Sequence, residues 1–435
     1  MSGSAPVAVS PRIQTLWDEY ARRGEAAVDA FWLEIEAAGA PLIEAIRGDR
    51  DHSIVTFVWR LEERDQRIGL VHGPLHVGEL DELDHLGSSD LAFRSYRVAN
   101  DLQNAYWFMP DPLRSLDARS PEEWEQLERR WRGERFLVPD PLNRHVRRHF
   151  ADPLDPATEE PGHSVLKMPS APRPSVDAAH QVRGGAITAH RFDSDLLAEP
   201  RTVWVYTPAA EVAGSDGYDA LVMFDGHRAL DEMGMPAILD ELSASGRIRP
   251  TVAVFIESLF DYRHIELPRH EPFAEFLAME LMPWLQSEYR VTDDPARTTL
   301  AGASFGGLAA SFAALRHPER FGNVLSQSGG YWWEPVDLEE RYIAPEERRG
   351  GWHATAFEDS PRLPVRFHLD VGMLEGGSGA GTDLLGEVRR FRDVLADRGY
   401  ELTYHEFNGG HAWACWRASF AAGLLSLVGL DSAER

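Results

Sequence analysis

The run from Arg297 to Leu308, Arg-Thr-Thr-Leu-Ala-Gly-Ala-Ser-Phe-Gly-Gly-Leu, constrains the fold more than any other part of the sequence. Thr298 to Ala301 reads as an apolar β-strand. Gly302-Ala303-Ser304-Phe305-Gly306 follows without a gap, and Gly307 to Arg316 has a helical pattern that His317-Pro318 stops. Strand, Gly-x-Ser-x-Gly and helix in that order make a nucleophile elbow. The turn is sharp, so the residues beside the serine must be small, and the serine takes a strained backbone conformation. Its hydroxyl then stands clear of the sheet at the positive end of the following helix. The bare pattern recurs by chance and also fits an ordinary tight βα turn; the strand before it and the helix after it carry the weight.

The 435 residues are enough for two or three domains, each with its own core. Apolar content of 43% and charged content of 26% are those of a globular chain. A formal charge of -26 argues against a nucleic-acid partner and against an anionic membrane surface. The basic residues are nearly all arginine, with Lys167 the only lysine. Cys415 is the only cysteine, so no intramolecular disulfide can form and nothing points to an oxidising compartment. Met1 to Pro6 shows no basic segment leading into an apolar one, and no apolar run approaches membrane-spanning length. A cytoplasmic location is the expectation. The oligomeric state stays open, a homodimer included.

Residues 11 to 47 read as helical, with Trp17, Tyr20, Ala21, Phe31, Trp32 and Ile35 as apolar anchors. Between Asp51 and Pro110 the pattern changes to short β-rich runs: Ile54–Arg60, Ile68–His72, Leu91–Arg97 and Ala105–Phe108. They suggest a small β-sandwich. The stretch from Ala151 to Pro174 is polar and Pro-rich and reads as a linker. After it, strand candidates alternate with helical patterns: Thr202–Thr207, Ala220–Phe224, Thr251–Ile256, Thr298–Ala301, Asn323–Ser326, Val365–Val371 and Leu402–Glu406. Helical patterns include Pro272–Glu288, Asp383–Gly399 and Ala412–Leu427. The fold class is therefore α/β, with a mostly parallel sheet and helices on both faces. The division expected is an N-terminal β-rich domain with leading helices over 1–160, a Pro-rich linker over 161–179 and an α/β-hydrolase domain over 180–435.

A nucleophilic serine needs a base, and the base an orienting acid. In this fold the chain order is serine, acid, histidine. His411, in Phe407-Asn-Gly-Gly-His411, follows the last expected strand, and the two glycines let the chain turn sharply. Of the 17 histidines it alone has the position of the base to Ser304. The acid should follow the strand that ends at Val371. Glu375 is favoured, in Gly372-Met-Leu-Glu-Gly-Gly377. Asp383 is the alternative, although it sits where a helix N-cap would, and Asp370 lies within the strand. The oxyanion hole calls for the N–H of Phe305 and a second N–H from an earlier strand-to-helix loop. Phe224-Asp-Gly-His-Arg228 offers that of His227.

With these motifs in view, the chain resembles the enterochelin esterase family over nearly its whole length. The resemblance lies in Asp225-Gly226, Tyr262-Arg-His-Ile-Glu-Leu-Pro268, Gly302–Leu308, Pro318-Glu-Arg-Phe-Gly322 and Ser326-Gln-Ser-Gly-Gly-Tyr-Trp-Trp333. It also lies in Gly409-Gly-His411 with Trp416-Arg417 and, nearer the N-terminus, in Phe31-Trp32, Val55–Arg60 and Ser95-Tyr-Arg97. It implies a cytoplasmic esterase that opens the trilactone of a ferric catecholate siderophore, with Ser304 as nucleophile and His411 as base. Iron then enters only as part of the substrate, and no metal or other cofactor is needed for catalysis. The resemblance also makes Arg263 and Glu266 part of an Arg-x-x-Glu-Leu element, which either meets substrate or is an ion pair holding its loop. Tyr331, Trp332 and Trp333 are either an aromatic wall for catechol rings or core packing.

The sequence departs from the family at Ala412, where an Asp is usual, at Ala229-Leu230, where a Trp is common, and at Arg269-His270 after Glu-Leu-Pro. Other readings are a general carboxylesterase or acyltransferase of the same fold, and a catalytically inactive siderophore-binding protein. Because ligand sites favour domain interfaces, the N-terminal domain is expected to form part of the siderophore site. On that view a chain lacking it would still cleave a small ester.

Overall fold

The computed structural model describes residues 5–112, 137–147, 162–173, 184–210, 217–259, 262–268, 270–333, 351–376 and 383–430. Two helices lead the chain. Pro11–Arg23 is capped by the Ser10 hydroxyl, which accepts the Ile13 N–H at 3.0 Å. Glu25–Ala38 follows after Gly24, whose φ of 57° breaks the run. The helical reading extended to residue 47, but the second helix stops at Gly39, and Leu42–Ala45 is a strand, β1. Pro41 removes a backbone donor there, and a helix cannot pass it cheaply.

The rest of the N-terminal part is two antiparallel sheets. One orders β1, β2 (His52–Arg60), β6 (Leu91–Ala99) and β5 (Asp84–His85). The other orders β4 (Leu80–Glu82), β3 (Ile68–His72), β7 (Gln103–Pro110), β9 (His163–Lys167) and β8 (Val146–Arg147). They share one core: Val55 and Phe57 from the first sheet meet Leu70, Tyr106, Phe108 and Leu166 from the second. The Phe57 and Tyr106 rings stand edge-on at 4.9 Å. The leading helices cover the outer side of the first sheet, where Phe31, Trp32 and Ile35 are buried with Val58 and Leu91.

The linker expected over 161–179 is corrected. His163–Lys167 is an inner strand, paired with β7 from Gln103↔Lys167 to Tyr106↔Ser164. The prolines that suggested a linker flank this strand, and its own residues are buried. The flanking positions 148–161 and 174–183 lie outside the described residues.

The C-terminal part holds an eight-stranded sheet in the order β10 (Ala186–Phe192), β11 (Arg201–Thr207), β13 (Thr251–Ile256), β12 (Asp219–Met223), β14 (Thr298–Ala303), β15 (Asn323–Gln327), β16 (Arg366–Gly372), β17 (Glu401–Phe407). From β13 to β17 every pair is parallel; β10 and β11 add an antiparallel edge. Alternation along the strands divides their side chains between two cores. Val222, Val254, Leu300 and Val324 pack under the helices Phe305–Arg316 and Leu384–Asp397. Met223, Phe255, Ala301 and Leu325 face Met235–Ala244 and Trp413–Val428. β10 went unread because it is an exposed edge with little apolar alternation.

The two parts meet at the start of β7. Ala105 is buried against Cys415 and Trp416, and Leu374 enters the N-terminal core. Among the described residues no helix is long and apolar enough to cross a membrane.

Candidate active site

β14 is buried along its whole length, and its chain turns into the helix Phe305–Arg316 at Ser304. Ser304 has φ 57° and ψ −124°, a conformation most residues avoid. Gly302 is required: a Cβ there would collide with the backbone of Gly306 as the chain doubles back. Two hydrogen bonds hold the strained turn. The Ser304 N–H donates to the Gln327 carbonyl at 2.9 Å, and the Gly330 N–H donates to the Ser304 carbonyl at 2.9 Å. The side chain is half-buried, and the Phe305 N–H is the first of the helix.

The histidine and the acid come together as expected. His411 Nδ1 and Glu375 Oε2 are 2.6 Å apart. A carboxylate can only accept, so Nδ1 carries the proton and Nε2 keeps its lone pair. Glu375 is buried, and its second oxygen takes the Gly372 N–H at 2.8 Å and the Ser328 hydroxyl at 2.6 Å. Trp416 Nε1–H donates in turn to Ser328 Oγ at 2.9 Å, and the indole stands edge-on to the His411 ring at 4.8 Å.

The other carboxylates are engaged elsewhere. Asp383 caps Leu384–Asp397 by accepting the Gly386 N–H at 2.9 Å. Asp370 is buried and accepts from Gln327 Nε2 at 3.1 Å; burial pushes its carboxyl up to about 7.

On the other side of the elbow, Asp225 takes a left-handed conformation (φ 53°, ψ 51°) and starts the short helix Gly226–Asp231, with His227 in its first turn. Arg263 grips Asp225 with two bonds of 2.7 Å, Nε to Oδ1 and Nη2 to Oδ2. Burial raises the Asp225 carboxyl, but Arg263 outweighs it and the net shift is downward. The pair adjoins the elbow: a Cβ on Gly306 would lie 3.7 Å from Asp225 Oδ2, and the Arg263 guanidinium is 5.9 Å from the Phe305 ring centre. Arg263 and Glu266 do not pair with each other. Glu266 is buried against Arg201 instead. Their i,i+3 spacing would let them pair, but each is taken by a partner from another element, Asp225 for Arg263 and Arg201 for Glu266.

Tyr331 is a core residue and not part of a wall. It is 1% exposed, its hydroxyl donates to Ser326 Oγ at 2.7 Å, and its ring stacks on His353 at 5.2 Å. Trp332 and Trp333 are half-buried; Trp332 lies 5.6 Å from the Phe305 ring.

Several residues beside this cluster had no signal of their own in the sequence. Ser328 has a φ of 48° and supports the acid. From the N-terminal part, His72 has a φ of 61° and lies edge-on to Trp107 at 5.6 Å. Burial first, then the charge of His411, holds the His72 imidazole down to about 4.

Residues 194–427 match the family described as putative esterase, and residues 54–177 match the enterochelin esterase N-terminal domain. An iron(III) enterobactin esterase of Dickeya dadantii is 27% identical over 94% of this chain and 95% of its own length. An iron(III) salmochelin esterase of Escherichia coli is 28% identical over 92% and 93%. The crystal structure of an enterobactin esterase from Shigella flexneri, obtained in the presence of enterobactin, superposes with a TM-score of 0.70 at 23% identity. It covers 90% of this chain and 96% of that one, and it shows the shared fold across both parts. A strand–elbow–helix serine, a histidine–carboxylate pair and a match over more than half the chain agree: the chain belongs to the putative esterase family and carries, ahead of that family's domain, the N-terminal domain of enterochelin esterases.

Proposed function

We propose that this chain is a serine esterase that hydrolyses the trilactone of a ferric catecholate siderophore in the cytoplasm, so that iron can be released. The observation that carries the reading is the 2.6 Å contact between His411 and Glu375 in a chain that also has an elbow serine. The names of the two curated relatives support the siderophore as substrate.

Ser304 Oγ attacks a lactone carbonyl while His411 Nε2 takes its proton. The oxyanion is held by the N–H groups of Phe305 and His227. The tetrahedral intermediate collapses, and the imidazolium gives its proton to the departing alkoxide, which opens the ring. Water then attacks the seryl ester with His411 again as base, releasing a carboxylic acid and restoring Ser304. Glu375 accepts the Nδ1–H throughout and holds the imidazole in its tautomer. Arg263, fixed by Asp225 beside the elbow, offers positive charge to anionic catecholates, and Trp332 and Trp333 offer ring faces. The iron is cargo, and the reaction needs no resident metal.

The test is mass spectrometry of ferric enterobactin after incubation with the protein. Linear trimer, dimer and monomer should appear, and should be absent with Ser304→Ala. Intact trilactone after prolonged incubation with active protein would overturn the siderophore as substrate.

A further inference from the structure

The base and the acid sit on loops of the C-terminal part, yet both loops are tied to the N-terminal part. Gln103, at the first position of β7, is buried and turns its main-chain N–H, its main-chain carbonyl and its side-chain amide to the loop around His411. Its N–H donates to the Asn408 carbonyl at 3.1 Å. Its side-chain amide donates to the Ala414 carbonyl at 2.7 Å. Its own carbonyl accepts from Cys415 Sγ at 3.0 Å. These partners lie before and after His411 in the chain, so Gln103 brackets the base.

The neighbours of Gln103 extend the contact. Asn408 Nδ2 donates to Asp101 Oδ1 at 2.6 Å. Asn104 closes over Gly410, where a Cβ would lie 2.7 Å from Asn104 Nδ2. On the acid side, the Val77 N–H donates to the Leu374 carbonyl at 3.0 Å, and the Leu374 N–H donates to the Gly409 carbonyl at 3.0 Å. The chain of contacts thus runs from the N-terminal part through the acid loop to the base loop.

We propose that Gln103 is a positioning residue of the hydrolytic site: it fixes the loop that carries His411, so that the N-terminal domain sets the aim of the base whichever ester is bound. This rests on the serine-esterase reading above. Two of the bonds reach main-chain carbonyls on either side of the imidazole; the Gln103 side chain supplies the one to Ala414, and losing it frees the chain just after His411 to shift. A displacement of about 1 Å in a reacting group can cost on the order of a hundredfold in rate.

The experiment is a comparison of kcat and KM for Gln103→Met in the full chain, on p-nitrophenyl butyrate and on ferric enterobactin. Rates are normalised to active sites titrated with a phosphonate. Gln103→Met keeps the length of the side chain and removes its donor. The expected result is a fall in kcat of about tenfold or more, by the same factor on both esters, with KM unchanged. Thr56→Val, which removes a buried hydrogen bond to Ser95 inside the N-terminal core, should lower Tm and leave kcat per titrated site unchanged. If Gln103→Met does not fold, Gly410→Ala provides the same readout, because its methyl group would press on Asn104. A lower Tm with unchanged kcat per site overturns the positioning role, and so does a loss confined to KM for the siderophore. Turnover of p-nitrophenyl butyrate by Ser304→Ala would overturn the serine-esterase reading itself. Wild-type protein active on p-nitrophenyl butyrate and inert to ferric enterobactin removes the siderophore alone, and kcat on the small ester then decides the role of Gln103.

Discussion

The Ser328 hydroxyl donates to Glu375 Oε1 at 2.6 Å, on the side of the carboxylate away from His411. A buried carboxylate is costly unless its oxygens are satisfied, and this one has the Gly372 N–H, Ser328 and the imidazole. Glu375 is thereby kept available as an acceptor for Nδ1–H. Glu375→Gln should cut turnover by at least about a hundredfold, since an amide can hold the wrong tautomer. Asp383→Asn should leave kcat unchanged, because Asn also caps helices. Steady-state kinetics of both variants decides between the carboxylates; a large loss in Asp383→Asn alone would reverse the assignment.

Ser328→Ala leaves both the Trp416 indole N–H and one oxygen of Glu375 without this partner. Unsatisfied buried groups cost about 1–3 kcal/mol each. The variant should unfold earlier in urea and lose kcat by about tenfold while KM holds. A stability loss with wild-type kcat would limit Ser328 to a packing role.

Ser304 and His411 should behave as a unit. Ser304→Ala is expected to remove nearly all hydrolysis of p-nitrophenyl butyrate. Adding His411→Ala should cost little more, because the effects of residues that act together do not add. Single-turnover kinetics checks this, and strictly additive losses would contradict a shared proton transfer.

A chain beginning near residue 176 would uncover Leu374, Cys415 and Trp416, which now pack against the N-terminal part. The sequence reading expected such a chain to retain activity on small esters and lose the siderophore. The tie between Gln103 and the base loop reverses that expectation. Activity on p-nitrophenyl butyrate and on ferric enterobactin should fall together, with folding followed by circular dichroism. Retained small-ester activity would restore the recognition role in its simple form.

Asp370 gives a pH signature. Its folded carboxyl titrates near 7, above its ordinary value of 3.8, with burial the largest cause. The folded state therefore holds a proton that the unfolded state has released. The contribution of this one group is fullest below about pH 3.8, falls as pH rises to about 7 at up to about 1.4 kcal/mol per unit, and levels off above. Asp370→Asn has no proton to lose. Its Tm relative to wild type should improve across that window and stay constant beyond it. A pH-independent offset would assign the shift elsewhere.

Much of the site could be read from the sequence because its signals are local. The elbow needs a strand, small residues and a helix in sequence, and each has its own pattern. Glu375 follows a largely buried strand and His411 an alternating one, and the glycines after each mark where the loops begin. Long-range partners leave no such trace. Nothing in Arg263 says that it grips Asp225, 38 positions away, and not Glu266 on its own short helix. Gln103 and Ala414 are 311 positions apart. The linker reading failed because prolines around His163–Lys167 outweighed five residues that become an inner strand. The wall and core readings of Tyr331, Trp332 and Trp333 could not be separated because three adjacent aromatic residues look alike until one is buried.

The burial of Tyr331 also bears on how this site can diversify. Its hydroxyl on Ser326 and its ring on His353 anchor the turn from below, while Trp332 and Trp333 are half-buried at the edge of the same core. Exchanging those two side chains leaves this anchor in place and costs the ring contacts to Phe305 and Trp352 and the edge packing they make. A library randomised at 332 and 333, with 331 held as tyrosine, would sample new ester preferences on a constant scaffold.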